Sequence, residues 1–334
     1  MLRFERIIQC IDAHVAGEPL RIVTSGYPEI PGKTMMEKHK YAMEHLDWLR
    51  SLVMLEPRGH NDMYGCIPTP PVTEDGDLGV LFIHSEGFST MCGHGVIGTV
   101  QILAETGRLA VSEGNNEIKV DSPAGRVKVK ILCEDKIIRE VSMENVYSFT
   151  LSQNIPVIID GLGAVPVDVA FGGSFFAFVN AKDLNVEIIP ENLSKLLTIG
   201  NYIRHVLSND PGICHPDDPD IKGVYGTLIC APITEEGKTL RSKSICVQND
   251  AGYDRCPCGT GTSARMALLN TKGILNHEMI FEHSSILGTM FKGRILTLKN
   301  GGIIPEITGI ANITAFTQMV LTPGDPFPQG FRLI

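Results

Sequence analysis

The chain has 334 residues, of which 43% are hydrophobic and 20% charged, so it can bury a large core, and its length favours two domains over one. Its formal net charge of −9, with no offsetting cluster of Lys or Arg, argues against a nucleic acid or an anionic membrane as partner and favours a small molecule. No stretch approaches the ~20 apolar residues of a membrane span, and the first residues lack the pattern of a signal peptide, so we expect a soluble, cytoplasmic protein.

Short runs with the composition of β-strands, bounded by Gly and Pro, recur along the chain. In chain order they include RIIQCIDAHV, LGVLFIHSE, GRVKVKILC, EVSMENVYSFT, NIPVIIDG and GTLICAPIT. Such runs outnumber the helical segments. The pattern therefore predicts a chain in which strands dominate and helices are few.

One amphipathic helix is predicted from Thr34 to about Leu55. Thr34 and Glu37 fit a capping box just after a Pro-Gly pair. Its predicted apolar face consists of Met36, Met43, Leu46, Leu49 and Val53. A second helix is predicted within residues 191–210, and two more follow the glycine-rich turns described below, which makes four.

The nine cysteines are an odd number without the spacing of a disulfide framework, so we expect them to be reduced. Most lie in apolar, strand-like runs, such as Cys133 in VKVKILC and Cys230 in GTLICAPI. A free cysteine in such a run usually behaves as a small buried hydrophobe. We interpret these cysteines as structural and look for chemistry in those that precede glycine-rich turns.

Two glycine-rich segments, half a chain length apart, share one pattern that begins with a cysteine. Residues 91–109 read MCGHGVIGTVQILAETGRL, and residues 256–275 read CPCGTGTSARMALLNTKGIL. The aligned pairs are Cys92 with Cys258, Gly93 with Gly259, Gly95 with Gly261, Leu103 with Leu269, Gly107 with Gly273, and Leu109 with Leu275. The repeat predicts two similar α/β halves, each with strands around one principal helix that starts at its own Cys-Gly-x-Gly turn. The alternative is a chance likeness of two glycine-rich turns.

A thiol at the start of a helix is a reactive thiol. The first N–H groups of a helix have no acceptor within it, and the helix dipole places partial positive charge there. Cysteines in that position have pKa values of roughly 3.5–7.5, against about 8.5 for a free cysteine. The glycines expose N–H donors that suit a carboxylate, and their spacing lacks the longer dinucleotide and P-loop patterns. Two such thiols can remove a proton from one face of an amino-acid Cα and return one to the other face, which inverts the carbon.

Two other uses of these thiols stay open. Cys92 with His94 would make a nucleophile and a base, although a base two residues away at a helix start is awkwardly placed. The Cys-Pro-Cys segment at 256–258, with His215 or His283, would make a metal site, although no second closely spaced pair supports it.

The chain resembles the proline racemase family over nearly its full length. The segments that carry the resemblance are MCGHG (91–95), DRCPCGTGTSAR (254–265), IDAHVAGEPLRIV (11–23), EPRGHNDMYG (56–65) and the closing ITGIANITAF and DPFPQGF. The resemblance implies the diaminopimelate-epimerase-like fold, an α/β (α+β) fold of two pseudo-symmetric halves with the active site in the cleft between them. We expect one half at 1–126 plus 305–334 and the other at 127–304.

The family resemblance also implies roles for individual residues. Cys92 and Cys258 match the catalytic pair, and no cofactor or metal is implied. His94 and Asp254 match the residues that hold the ring ammonium of the substrate. The positions whose backbone groups bind its carboxylate are Gly93, Gly259 and Thr260, and further candidates to line the pocket are His60, Asp62, Phe175 and Phe176. One departure is Cys256, where the family usually has Ser.

The two cysteine positions also sort the reactions within the family. Members that dehydrate trans-3-hydroxyproline generally carry Thr at the position of Cys258, and many 4-hydroxyproline 2-epimerases carry Ser at the position of Cys92. Because this chain keeps Cys at both, the resemblance favours a proline racemase that acts on a small molecule as a homodimer. The alternatives, in order, are a 4-hydroxyproline 2-epimerase, a dehydratase and a non-catalytic module that binds proline.

Overall fold

The computed structural model describes residues 4–248 and 252–333. Its α-helices are α1 (Met35–His45), α2 (Asp47–Met54), α3 (Gly93–Glu105), α4 (Leu193–Ser208) and α5 (Gly259–Thr271). Its strands are β1 (Arg6–Val15), β2 (Glu18–Ser25), β3 (Tyr64–Thr69), β4 (Leu78–His84), β5 (Gly87–Ser89), β6 (Gly114–Ser122), β7 (Gly125–Glu134), β8 (Ile137–Glu144), β9 (Ser148–Ile159), β10 (Gly163–Phe171), β11 (Phe175–Asn180), β12 (Gly226–Cys230), β13 (Thr234–Glu236), β14 (Thr239–Val247), β15 (Ile280–Ser284), β16 (Met290–Lys299), β17 (Gly302–Gly309) and β18 (Ala311–Leu321). Among the described residues, none of the helices combines the length and the apolar character that a membrane crossing requires.

The described residues form two compact units. The first runs up to Met143 and resumes at Ile310, and the second runs from Glu144 to Gly309. The limits expected from the sequence, after residues 126 and 304, fall earlier in the chain at both junctions. Strand β7 belongs with the first unit because it pairs with β6 from Gly125 to Cys133, over all but its last residue.

The first unit wraps its strands around α3. Along the sheet the order is β18, β1, β2, β3, β4, β6, β7 and β8. All neighbours are antiparallel except two pairs, β2 with β3 and β4 with β6. Parallel neighbours need a crossover connection. Helices α1 and α2 lie in the first crossover, and α3 lies in the second.

The second unit repeats this strand order and its crossovers around α5. Its order is β9, β10, β11, β12, β14, β15, β16 and β17, and β17 pairs back onto β9. The parallel pairs fall at the same places, with α4 crossing between β11 and β12, and α5 crossing between β14 and β15. The two α/β halves predicted from the repeat are therefore confirmed, and each cysteine-led helix occupies the equivalent crossover of its own half.

The helix predicted from Thr34 to Leu55 is two helices. Thr34 is the predicted cap, and its side chain accepts a hydrogen bond from the N–H of Glu37 at 3.1 Å. The backbone leaves the helical conformation at Leu46, and α2 begins directly afterwards. The break shifts the buried stripe of α1 by one residue, so Met36 and Met43 are exposed, and the prediction that they face the core was wrong. The residues buried along α1 are Met35, Lys38, His39 and Ala42.

The N-terminal half of α3 packs closely on the hairpin of β1 and β2. A Cβ added to Gly98 would lie 2.4 Å from Leu20 Cδ2 and 2.7 Å from Val15 Cγ2, and both side chains are fully buried. The aligned position in α5 is Ala264, which is itself fully buried. The two halves therefore share the same strand and helix connectivity. At this point of the central helix the first half has no room for a Cβ, whereas the second half buries a methyl group there.

Gly98→Ala tests this close approach. Overpacking a core usually costs about 1–3 kcal/mol, against a gain of about 1 kcal/mol from replacing a helical glycine. We expect a net loss of up to about 2 kcal/mol in the free energy of unfolding, measured by urea denaturation. The matched control, Ala264→Gly, should lose about 1–2 kcal/mol through helix propensity and the loss of a buried methyl group. A Gly98→Ala protein more stable than the wild type would contradict the packing argument.

Candidate active site

Helix α3 begins at Cys92. The backbone of Cys92 is extended, with φ −150° and ψ 123°, and Gly93 is the first helical residue. The Cys92 sulfur accepts a hydrogen bond from the N–H of Gly95 at 3.4 Å. The thiol thus caps the helix in the way that a Ser or Asp side chain usually does, so a negative charge on sulfur would face unpaired donors and the positive end of the dipole. This is the placement that the sequence predicted.

The imidazole of His94 lies against the Cys92 thiol. His94 Nδ1 is 3.1 Å from Cys92 Sγ, so the argument that a base two residues along is badly placed was wrong. The ring also meets the Tyr64 ring edge-on, with 4.8 Å between centroids. Burial lowers the pKa of His94 to about 4, so the imidazole is neutral near pH 7. A neutral ring can accept a hydrogen bond from a cationic ligand without repelling it.

Tyr64 is a member of this group that the sequence did not single out. Its hydroxyl is hydrogen-bonded to Ser89 Oγ. Burial raises the pKa of Tyr64 well above its ordinary value, and the neighbouring Cys92 raises it further. The phenol therefore stays protonated beside the thiol. Tyr64 lies in the EPRGHNDMYG segment used for the resemblance, but only the fold places it next to α3.

Helix α5 begins at Cys258 in the second unit. The Cys258 sulfur accepts from the N–H of Gly261 at 3.3 Å, and Thr260 Oγ1 lies 3.7 Å away. The N–H of Cys258 donates to the sulfur of Cys256 at 3.4 Å. Cys256, the departure from the family pattern, thus serves as an acceptor beneath the turn. Unlike Cys92, Cys258 has a positive φ of 66°.

A third thiol and a carboxyl group surround Cys258. The sulfur atoms of Cys246 and Cys258 and a carboxylate oxygen of Asp254 all lie within 4.8 Å of one another. The pKa of the Cys258 thiol is lowered to about 7, mainly by a hydrogen bond with the Cys246 thiol. Burial opposes this shift, while Asp254 and the N–H of Gly261 add to it. The pKa of Cys246 is correspondingly raised well above its ordinary value, by its hydrogen bond with Cys258 and by burial, so Cys246 keeps its proton.

Asp254 is held by one contact of its carboxyl group and one of its backbone. Its Oδ1 accepts a hydrogen bond from Gln248 Nε2, and its backbone N–H donates to the carbonyl of Cys246 at 3.0 Å. Burial raises the pKa of Asp254 well above its ordinary value, and the nearby Cys258 raises it further. A cation brought to this carboxyl group would favour its ionised form and so oppose both effects.

The structure groups the predicted residues by half. Gly93 and His94 form the first turn of α3, and Gly259 and Thr260 form that of α5, so their N–H groups have no acceptor within the helices. Neither histidine of the alternative metal site joins the cysteines: within the described residues, the one group of His, Cys, Asp or Glu with such closely spaced ligand atoms is that around Cys258. His215 instead packs edge-on against Phe149 and Phe171.

Of the four further candidates for lining a pocket, two are buried in the core and two are not. Phe175 and Phe176 are fully buried in two hydrophobic clusters of the second unit, which favours a packing role for both. His60 is exposed and Asp62 is partly buried, in the segment that leads into β3. Cys133 and Cys230 are buried in their strands, as predicted.

Comparison with known proteins identifies the family. The family model described as proline racemase matches residues 10–332. A trans-3-hydroxy-L-proline dehydratase from Bacillus cereus is 42% identical over 99% of this chain and 100% of its own. A proline racemase from Clostridioides difficile is 40% identical over the same shares. Among solved structures, a hydroxyproline epimerase from Agrobacterium vitis with bound trans-4-hydroxy-L-proline superposes with a TM-score of 0.85, at 27% identity, over 100% of this chain and 96% of its own.

The chain therefore belongs to the proline racemase family, as the resemblance predicted. The family includes isomerases, with a racemase and an epimerase among the relatives just described. The two-halved α+β fold expected from the sequence is confirmed by the same comparison. The dehydratase name of one relative shows that the family's chemistry extends beyond isomerisation.

The raised pKa of Asp254 predicts how stability depends on pH. The folded protein retains this proton over a pH range in which the unfolded chain, with a pKa near 3.8, has lost it. The contribution of Asp254 to the free energy of unfolding therefore falls as the pH rises above about 4. Asp254→Asn removes this fall while keeping the oxygen that accepts from Gln248. We expect the variant to gain stability relative to the wild type from pH 4 to pH 7, measured by urea denaturation at each pH.

Asp121 provides the control of opposite sign. Burial alone would raise its pKa, but hydrogen bonds from Thr73 and Val72 outweigh burial and lower it. Its stabilising contribution is present at neutral pH and is lost as the pH falls. Asp121→Asn should therefore be less stable than the wild type by a nearly constant amount from about pH 5 to pH 7, and this deficit should shrink as the pH falls below about 4, whereas the gain of Asp254→Asn grows from pH 4 to pH 7. Parallel behaviour of the two variants would contradict the assignment for Asp254.

Proposed function

We propose that the protein interconverts L-proline and D-proline, with Cys92 and Cys258 acting as base and acid in either order. One observation carries the proposal. Each cysteine caps a helix of 13 residues, and each sulfur accepts from the N–H three residues later, at 3.4 Å for Cys92 and 3.3 Å for Cys258. A cysteine that served only as a core residue would have no need of this position in both halves.

The chemistry requires two proton transfers and no change of oxidation state. The thiolate of one cysteine takes the Cα proton, and the electron pair of the broken C–H bond moves into the carboxylate to form an enediolate. The thiol of the other cysteine then gives its proton to the opposite face of Cα. Because a pKa of about 7 leaves Cys258 poised between thiol and thiolate, it can act in either direction near neutral pH. Nothing in these steps calls for a cofactor or a metal.

The groups around the two thiols suit the two charges of the substrate. The N–H groups of Gly93, Gly259 and Thr260 would bind the carboxylate, whose negative charge grows as Cα loses its proton. His94 and Asp254 would accept hydrogen bonds from the ring ammonium. The neutral ring of His94 supports this assignment, and the ammonium would favour the ionised form of Asp254.

A 4-hydroxyproline 2-epimerase is the second candidate. The Agrobacterium vitis relative binds trans-4-hydroxy-L-proline, and the hydroxyl of Tyr64, itself hydrogen-bonded to Ser89, lies beside Cys92, where it would suit a ring hydroxyl. One hydroxyl changes binding by only a few kcal/mol unless a buried partner requires or rejects it. Dehydration of trans-3-hydroxy-L-proline ranks lower because it returns no proton to Cα, so the step proposed here for the second thiol would be missing. The homodimer and the cytoplasmic location stay predictions.

Substitution of the three cysteines near the two helix starts tests the assignment. Serine is far less acidic than cysteine, so Cys92→Ser and Cys258→Ser should each lower the rate of racemisation by at least about 10²–10⁴-fold. Cys256→Ser is the matched control, because its hydroxyl can still accept from the N–H of Cys258, and it should retain activity within about threefold. Chiral chromatography of the product measures the rates, and circular dichroism checks the fold.

A panel of L-proline, trans-4-hydroxy-L-proline and trans-3-hydroxy-L-proline tests the substrate. Inversion of L-proline with the highest kcat/KM supports the proposal, and preference for the 4-hydroxylated compound supports the second candidate. Loss of water from the 3-hydroxylated compound, with no inversion of the others, would contradict both. Binding of proline with no reaction at all would favour the non-catalytic module. Equal losses in the three cysteine variants would contradict the separate role given to Cys256.

A further inference from the structure

The backbone at Cys258 is held in an unfavourable conformation. Its φ of 66° with ψ 114° lies where side-chain-bearing residues are rarely found, whereas Cys92 has an ordinary extended backbone at the equivalent position. Such a conformation persists only where the surrounding structure fixes it, and it is common at functional sites. The question is which contacts fix the peptide that joins Pro257 to Cys258.

Thr262, one turn into α5, contacts both sides of this residue. Its Oγ1 lies 3.2 Å from the carbonyl oxygen of Pro257, and its backbone N–H donates to the carbonyl of Cys258 at 2.8 Å. The same hydroxyl lies 2.8 Å from Nδ1 of His283 on β15. Thr262 and His283 are both completely buried. A chain of contacts therefore runs from β15 through α5 to the strained peptide.

The direction of these hydrogen bonds follows from the count of protons. A hydroxyl has one hydrogen to donate, so Thr262 donates to Pro257 only if it accepts from His283 Nδ1–H. This tautomer leaves His283 Nε2 as a bare lone pair, and that atom is without a partner among the described residues. The opposite tautomer would bury an unpaired N–H donor and leave the Pro257 carbonyl without this bond. Burial lowers the pKa of His283 to about 3, and Arg265 adds to the shift, so the ring is neutral.

The other half of the repeat provides an internal comparison. The position aligned with Thr262 is Val96 in α3, which is fully buried and has no hydroxyl. Cys92 there has an ordinary φ of −150°. The hydroxyl thus occurs in the half whose cysteine has a strained backbone and is missing in the half whose cysteine has an ordinary one. This difference is expected if the hydroxyl holds the strained peptide in place.

We propose that Thr262 and His283 are positioning residues, which hold the Pro257–Cys258 peptide so that the Cys258 sulfur stays at the N-terminus of α5. The inference rests on the proposed function in taking Cys258 as a catalytic thiol. If the Pro257 carbonyl is released, φ of Cys258 relaxes, the Cβ swings, and the sulfur leaves the N–H of Gly261. His283 fixes the orientation of the Thr262 hydroxyl, and its own ring is held by stacking on Phe281 at 5.0 Å.

Isosteric and tautomer-matched variants test the proposal. Thr262→Val keeps the shape but removes the hydroxyl, as in Val96, and Thr262→Ser keeps the hydroxyl. His283→Asn places an amide N–H near the position of Nδ1, whereas His283→Gln places it near that of Nε2. The titratable groups beside Cys258, namely Cys246, Asp254 and Cys256, are unchanged in all four variants. Retention of the folded state is checked by thermal unfolding.

The primary readout is the pH midpoint of alkylation by iodoacetamide, followed separately for Cys258 and Cys92 by mass spectrometry of their peptides. In the wild type the Cys258 midpoint should lie at about 7. Thr262→Val and His283→Gln should raise it by about one pH unit, a tenfold loss of thiolate, because the sulfur loses its helix-start donor. Thr262→Ser and His283→Asn should leave it nearly unchanged. The Cys92 midpoint should not move in any variant, since Cys92 lies in the other half.

Kinetics provide the second readout. Misplacement of a reacting group by about 1 Å can cost about 10²-fold, so Thr262→Val should lower kcat by about 10–100-fold, with KM within about threefold. An unchanged Cys258 midpoint and kcat in Thr262→Val would overturn the inference while leaving the proposed function intact. Equal shifts of both cysteine midpoints would also overturn it, because they indicate a general structural defect. If the variants shift the Cys258 midpoint but the wild-type protein racemises no amino acid, the positioning role is supported and the proposed function is overturned.

Discussion

A hydrogen bond from a helix N-terminus to a cysteine sulfur underlies the account of both halves. At Cys92 and at Cys258 the donor is the N–H of the third residue along, and in each case a glycine supplies it. This contact makes the sulfur a cap, directs its lone pairs toward unpaired donors and favours its charged form. In each half the helix that starts at the cysteine is also the crossover between two parallel strands, β4 and β6 in the first half and β14 and β15 in the second.

The two caps are equivalent in position but differ in environment. Cys92 has an ordinary backbone and faces polar neighbours, the neutral ring of His94 and the phenol of Tyr64. Cys258 has a strained backbone and faces the thiol of Cys246 and the carboxyl group of Asp254, whose pKa is raised. A pair of acid and base that serves both directions of a reaction needs comparable acidities, and the two halves can reach them by different means. Buried ionisable groups and strain in the second half cost stability, which fits a site selected for chemistry rather than for folding.

The two halves, their helix starts and many of the strands could be predicted from the sequence because they depend on local residue patterns. The repeat around Cys92 and Cys258 marked both halves and both helix starts, and strands such as β1 (Arg6–Val15) matched their apolar runs to the residue. What failed or was missed depends on packing between distant segments. The break at Leu46 shifted the buried stripe of α1, and Cys246 looked like any other strand cysteine until β14 placed it beside α5. The contact between His94 Nδ1 and the Cys92 sulfur depends on the side-chain rotamer of His94, which the spacing of the two residues in the sequence does not determine.

The most direct test of two thiols acting on one carbon is the position of the label when L-proline reacts in D2O for a small fraction of one conversion. If one thiol removes the proton and another, already exchanged with solvent, returns one, the first D-proline formed carries deuterium at Cα while the recovered L-proline keeps protium. Deuterium that enters recovered L-proline as fast as it enters D-proline would indicate a single base. That result would contradict the account.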